Sequence, residues 1–212
     1  MILKYVPVLL KRVHIMNVSA IVMAAGLSRR MNRNKLKMKI NDKYIFEYIL
    51  DTIKNCDSCF NEVIVVTKDD DVLKKSGDRG YKCVKNEMSH MGQSVSVKLG
   101  IENSGMADGY MFFVADQPFI KESTIKRLLE EFEKTPDSIV VACYNGIIGN
   151  PVIFPRIFRE HLLKLEGDTG GRIIIKNSPD KTIKVHIQSD DEFMDIDTME
   201  DYVVAAEKKV SE

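Results

Sequence analysis

Several things are missing from this 212-residue chain, and each absence closes a class of function. It has no net charge: Lys+Arg and Asp+Glu are 31 each, a formal +0 at pH 7. No global field draws it to nucleic acid or to a membrane surface, so any basic site must be local. It has no apolar run near the roughly 20 residues of a membrane span. The opening MILKYVPVLLKRVHIMN has an apolar part only at 5–10, and Lys11-Arg12 follow where a cleavage site would stand. A secretory leader is therefore not expected, and the chain is read as cytoplasmic. Residues 1–16 are taken as an N-terminal extension: either an extra strand or a product of start-codon choice, since Met16 is itself a natural start. Cysteine is scarce, with Cys56, Cys59, Cys83 and Cys143. The Cys56-x-x-Cys59 pair has no second pair, so it falls short of the four ligands that structural zinc takes. A redox pair is one reading; two small residues at a helix end in a reducing compartment is the plainer one. His14, His90, His161 and His186 are scattered and form no ligand cluster. Repeats, low-complexity linkers and a visible domain boundary are also missing, so residues 17–212 are expected to form one domain.

What is present alternates. Apolar, β-branched runs at 18–23, 62–67, 81–84, 110–115 and 138–142 predict buried strands. Residues 151–154 predict a short strand whose proline suggests an edge or a strand start. Residues 182–187 predict a last strand, with Ile183, Val185 and Ile187 alternating. Between them lie helical spacings. Apolar residues fall at 45, 46, 49, 50 and 53, and at Ile125, Leu128, Leu129 and Phe132. Helices are also expected at 69–75, 94–101, 156–165, 169–177 and from Thr198 onward. Strand–helix alternation predicts an α/β/α three-layer domain with a mostly parallel sheet. Ligands of such sheets bind at the carboxyl ends of strands. That singles out 24–35, 116–118, 145–150 and 188–198.

The first of these loops is informative. VSAIVMAAGLSRRMNRNK runs from a buried strand through Ala24-Ala25-Gly26 into Arg29, Arg30, Arg33 and Lys35. Small residues let a ligand approach the backbone, and successive N–H groups there can line an anion-binding hollow. Arg30 adds a bidentate fork and Lys35 a point charge. The natural guest is a polyphosphate; the alternative is a solvated basic loop. The spacing fits neither G-x-G-x-x-G nor G-x-x-x-x-G-K-[ST]. Asp116 ends the run YMFFVA, where a carboxylate is placed to hold Mg²⁺. A second acidic group, Asp195, Asp197, Glu200 and Asp201, reads either as metal-binding or as ordinary capping of a helix with Thr198 at its N-cap.

These stretches resemble the molybdenum cofactor nucleotidyltransferases. AAGLSRRMNRNK is similar to A-A-G-x-S-x-R-M-G-x-x-K, GQSVSVKLG (92–100) to G-x-S-x-S-x-x-x-G, and DQP (116–118) to that family's metal-binding strand end. GNPVIF (149–154), LEGDTGGR (165–172) and DIDTMEDY (195–202) resemble three further elements, all in order over about 18–202. GDTGGR resembles the cytidylyltransferase branch in particular. The resemblance implies a Rossmann-like nucleotidyltransferase domain with a mixed, mostly parallel sheet. It implies transfer of CMP from CTP to the phosphate of molybdopterin, giving molybdopterin cytosine dinucleotide and pyrophosphate with Mg²⁺ as cofactor. In its terms Arg30, Lys35 and Asp116 are catalytic. Ala24, Ala25, Gly26, Ser28, Gly92 and Ser94 contact the nucleotide. Gly149, Asn150, Asp168 and Arg172 lie toward the acceptor, and Asp116 with Asp197 holds the metal, Asp195 being a substitute for the latter. Met23-Ala24-Ala25-Gly26 is similar to the CTP type rather than the Gly-Gly guanine type. A recipient molybdoenzyme is an implied partner. Asn32 and Met199 depart from the pattern, standing where it has Gly and Pro. The competing expectations are an acceptor such as a sugar phosphate, alcohol phosphate or phosphocholine, and a non-catalytic nucleotide-binding factor for molybdoenzymes.

Overall fold

The computed structural model describes residues 16–26, 31 and 34–211. The expectations for Ser28, Arg29, Arg30, Asn32 and Arg33, and for the extension before Met16, lie outside the described residues. In chain order come β1 (Val18–Ala24), a two-residue ribbon β2 (Lys39–Ile40) and β3 (Lys43–Tyr44), α1 (Ile45–Lys54), β4 (Glu62–Thr67), α2 (Asp70–Gly77) and β5 (Lys82–Lys85). Then come α3 (Gln93–Glu102), β6 (Gly109–Val114), α4 (Glu122–Lys134), β7 (Ile139–Tyr144) and β8 (Ile147–Pro155). The chain closes with α5 (Arg159–Leu163), α6 (Arg172–Asn177), β9 (Thr182–His186) and α7 (Met199–Ser211).

Seven strands form one sheet in the order β5-β4-β1-β6-β8-β7-β9. β1 is parallel to both β4 and β6, β4 to β5, and β7 to β9. Only β8 runs against its neighbours. The alternate residues of each apolar run separate onto two faces. Ala20, Val22, Val63, Val65, Met111 and Phe113 meet α1 and α4 through Phe46, Leu50, Ile125, Leu128 and Phe132. Ile21, Ile64, Val66, Tyr110 and Phe112 meet α3 and α5 through Val97, Ile101 and Leu162. A strand buried on both faces has no polar alternation, which is why these stretches read as continuous hydrophobic runs.

β8 corrects one expectation. Its proline pointed to an edge or a strand start, yet β8 is nine residues long and lies inside the sheet. Pro151 is tolerated because the β7 register breaks beside it, from Val141↔Val152 to Ala142↔Gly149. At such an irregularity no ladder donor is required of the proline. The β2–β3 ribbon went unforeseen; it is too short to show periodicity. The chain passes from β1 to β4 and β5 on one side, then returns to β6 on the other. A crevice therefore opens at the carboxyl ends of β1 and β6. No helix among the described residues is long and apolar enough to cross a membrane.

Candidate active site

The crevice holds a two-lobed cleft. One lobe, of about 670 Å³, is lined by Ala24, Ala25 and Gly26 after β1, Lys35, Asp116, and the segment from Ser89 to Gln93. The other, of about 450 Å³, is lined by Gly149, Asn150, Gly171 and Arg172, with an apolar back wall that includes Phe112, Phe154 and Ile175. Met23, Gln93, Val114, Asp116, Asp168 and Asp197 border both lobes.

Lys35 is set into the cleft by what flanks it. The Asn34 side chain accepts from Leu36 N at 3.2 Å and donates to Asp69 at 2.8 Å. Leu36 packs into the core beneath α1. With both neighbours held, Lys35 starts a short 3-10 turn and is only 7 % exposed. Its Nζ lies 2.5 Å from Asp116 Oδ2 and 2.6 Å from Asp197 Oδ1. Burial alone would lower the Lys35 pKa, but the two carboxylates outweigh it and hold the ammonium above its ordinary range.

Three segments carrying this charge share a small separate core. Ile40 and Ile45 follow Lys35, Phe119 follows Asp116, and Ile196 stands between Asp195 and Asp197. Ala205 of α7 completes the cluster, with Tyr202 packed against it. Ile196 is fully buried there, and its N–H donates to the Asp116 carbonyl at 3.1 Å. The Tyr202 hydroxyl donates to the Lys39 carbonyl at 2.6 Å, joining α7 to the ribbon. Asp195 accepts from Gln117 Nε2 at 2.9 Å. Its pKa is pushed up to about 6, first by burial and then by the Asp116 charge, with Asp197 adding to it.

The acidic group at 195–201 splits into two roles. Asp201 accepts from the Thr198 and Asp197 N–H groups, and the Asp201 N–H donates back to Thr198 Oγ1. That is a reciprocal cap of α7. Asp197 faces the cleft, and Asp195 borders its second lobe.

A divalent cation fits this donor set. Asp116 and Asp197 already converge on one cationic atom, and both offer hard oxygen donors. Among the described residues no group of three or more His, Cys, Asp or Glu is arranged to hold a metal. Two carboxylates, with phosphate oxygens and waters for the remaining positions, is the manner in which Mg²⁺ is usually bound.

The other expected residues divide as follows. Ala24, Ala25, Gly26 and Gly92 line the first lobe, and Gly149, Asn150 and Arg172 the second. Asp168, expected on the acceptor side, borders both. Ser94 is buried and lines neither lobe; Ser96, two residues further, lines the first. Ser96 Oγ accepts from buried Asn86 at 2.9 Å. Gln93 and His90 were not anticipated. The second serine of G-x-S-x-S was a readable signal for Ser96, whereas nothing in the sequence marked Gln93. Cys56 and Cys59 lie beyond the C-terminal end of α1 as free thiols, away from the cleft.

Comparison with known proteins identifies the family and the fold. The MobA-like NTP transferase domain matches residues 20–183. A probable molybdenum cofactor guanylyltransferase of Natranaerobius thermophilus is 28% identical over 133 residues, 61% of this chain and 62% of that protein. The match thus spans less than two thirds of that relative's length. The purine catabolism protein PucB of Bacillus subtilis is 28% identical over 195 residues, 86% of this chain and 92% of its own. Among solved structures, an Rv0371c homolog from Mycobacterium sp. strain JC1 superposes with a TM-score of 0.79 at 26% identity, covering 92% of this chain and 97% of that one.

Proposed function

Because this chain belongs to the MobA-like NTP transferase family, we propose that it transfers CMP from CTP to the terminal phosphate of molybdopterin, releasing pyrophosphate. The observation that carries the reading is the pair of lobes meeting at Asp116 and Asp197, with the Lys35 ammonium held between the two carboxylates. One lobe takes the nucleotide and the other the phosphorylated acceptor, so the reacting phosphates meet at the carboxylates.

The acceptor phosphate oxygen attacks the α-phosphorus of CTP. A new P–O bond forms, the α–β bridging bond breaks, and pyrophosphate leaves with the electron pair. A phosphate monoester is largely ionised at pH 7, so no side chain need take a proton. The protein's work is positioning and charge neutralisation. Lys35 offers a fixed positive charge at the cleft floor, and the amides at 24–26 face the triphosphate; the resemblance assigns Arg30 to the same charge. When bound by Asp116 and Asp197, Mg²⁺ neutralises phosphate charge. Gly149, Asn150 and Arg172 face the acceptor.

The choice of base rests on Ala24-Ala25-Gly26 in place of a Gly-Gly loop. The guanylyltransferase named among the relatives supports GTP as the second reading. Pyrophosphate release with Mg²⁺ and molybdopterin, compared across CTP, GTP, ATP and UTP, tests both. Release with CTP alone is expected. Release with GTP alone would keep the reaction and overturn the base. No release with any of the four, by protein that binds CTP, would refute molybdopterin as the acceptor.

A further inference from the structure

The N-cap of α3 is Gly92, which has no side chain with which to cap it. The first free N–H groups of the helix are instead met from a loop 75 residues away. Gln93 N donates to Asp168 Oδ1 at 3.3 Å, and Ser94 N donates to the Gly167 carbonyl at 3.2 Å. The two backbones touch. Gly92 has φ of +107°, and a Cβ there would lie 2.3 Å from Gly167 C and O and 2.5 Å from Asp168 N. Gln93 and Asp168 each border both lobes. This contact is therefore the seam between the nucleotide lobe and the acceptor lobe.

We propose that Asp168 is a positioning residue that caps α3 from across the cleft and so couples the acceptor-side loop to the nucleotide lobe. The physical case has three parts. A carboxylate at a helix N-terminus satisfies an orphan donor and faces the positive end of the helix dipole. The residues so fixed, Gly92, Gln93 and Ser96, form one wall of the nucleotide lobe. The 165–172 loop that supplies the cap also supplies Gly171 and Arg172 to the other lobe. Whatever orders that loop on the acceptor side lowers the cost of ordering the α3 entrance. The two substrates then assist each other's binding, reciprocally, as linkage requires. This rests on the reading of the two lobes given above.

The test uses the full chain with Mg²⁺, and CTP and GTP as probes. Asp168→Ala should raise the nucleotide dissociation constant about threefold, the scale of a lost exposed cap. Hydrogen exchange at the Gln93 and Ser94 amides should quicken by a similar factor. Asp168→Asn keeps an acceptor oxygen and should recover most of both losses relative to Asp168→Ala. If Asp168→Ala binds nucleotide as tightly as the wild type, the coupling is refuted. If Asp168→Asn binds as weakly as Asp168→Ala without faster exchange, the carboxylate charge meets a ligand directly and the positioning role is wrong. A wild type that binds neither nucleotide would overturn the proposed function, and the coupling with it.

Discussion

Lys35→Met isolates the central charge of the cleft. The substitution keeps length and apolar stem but leaves Asp116 and Asp197 without the ammonium that lies 2.5 and 2.6 Å from them. Its cost lies between two limits. Exposed ion pairs contribute about 0.2–1 kcal/mol, whereas stripping one partner from a fully buried pair costs about 3–5 kcal/mol. Here the lysine is 7 % exposed, but the Asp116 and Asp197 side chains keep 20 % and 43 % of their surface in solvent. Water thus screens the two carboxylates in part, and about 2 kcal/mol is the expected loss. For a domain of this size that is a fall in Tm of about 4–8 °C. Scanning calorimetry at pH 7 reads it. Millimolar Mg²⁺ should narrow the gap, since it supplies a replacement cation to the same two carboxylates. Turnover should fall about 10²–10³-fold, the scale of one lost donor to developing oxyanion charge. Lys35→Arg should restore much of the stability and little of the turnover, because a planar fork does not occupy the place of a compact ammonium. A Lys35→Met protein melting within 1 °C of the wild type would refute the charge arrangement on which the site reading stands.

Three further outcomes follow from other parts of the molecule. Burial by itself would raise the Glu47 pKa, but Lys75 and Arg79 outweigh it, and the pKa is lowered; Asp51 is lowered likewise against burial by Lys43 and Arg79. A lowered folded-state value means stability that is complete above the unfolded pKa and lost as pH falls through the folded one. Glu47→Gln should therefore lower the urea midpoint at pH 7, with the difference closing as pH falls through the lowered Glu47 value; a difference independent of pH would contradict the ion pairs. At Gly149 a Cβ would sit 2.7–2.8 Å from the Phe193 ring, so Gly149→Ala should displace that ring and raise the acceptor KM several-fold while leaving nucleotide affinity near wild type. Equal effects on both substrates in steady-state assays would count against separate lobes. Cys56→Ala with Cys59→Ala should leave turnover unchanged with or without dithiothreitol, because both thiols lie away from the cleft and burial pushes the Cys56 thiol up, away from the reactive thiolate.

The layered fold was legible because burial on both faces leaves long β-branched runs, and amphipathic helices such as α4 leave an i, i+3, i+4 stripe. Asp116 was legible for a simpler reason: it follows the buried run YMFFVA, and a charged residue there must sit at a strand's end. DIDTMEDY, by contrast, carried two roles that spacing alone could not divide. The division is made by Ile196. Its burial against Phe119, Ile40 and Ala205 fixes the backbone so that the aspartates on either side face the cleft, and the Thr198–Asp201 cap begins only after it.

What the sequence hid is what depends on distant backbone. Pro151 misled because a proline's place is set by whether its neighbour strand needs a donor, and only the pairing with β7 shows that Asn150 and Pro151 bulge out of the ladder. Ser94 and Ser96 were indistinguishable as residue types; only the rotation of α3, fixed by Val97 and Ile101 against the sheet, turns one inward and the other to the lobe. Asp168 was assigned to the acceptor side by the resemblance of LEGDTGGR to a family element. Its carboxylate also accepts from a helix whose own cap position is glycine, and neither half of that contact signals the other across 75 residues. Side chains that hold a ligand and side chains that hold the wall around it carry the same chemistry, so a motif identifies the set, and only the packing of the chain assigns the members.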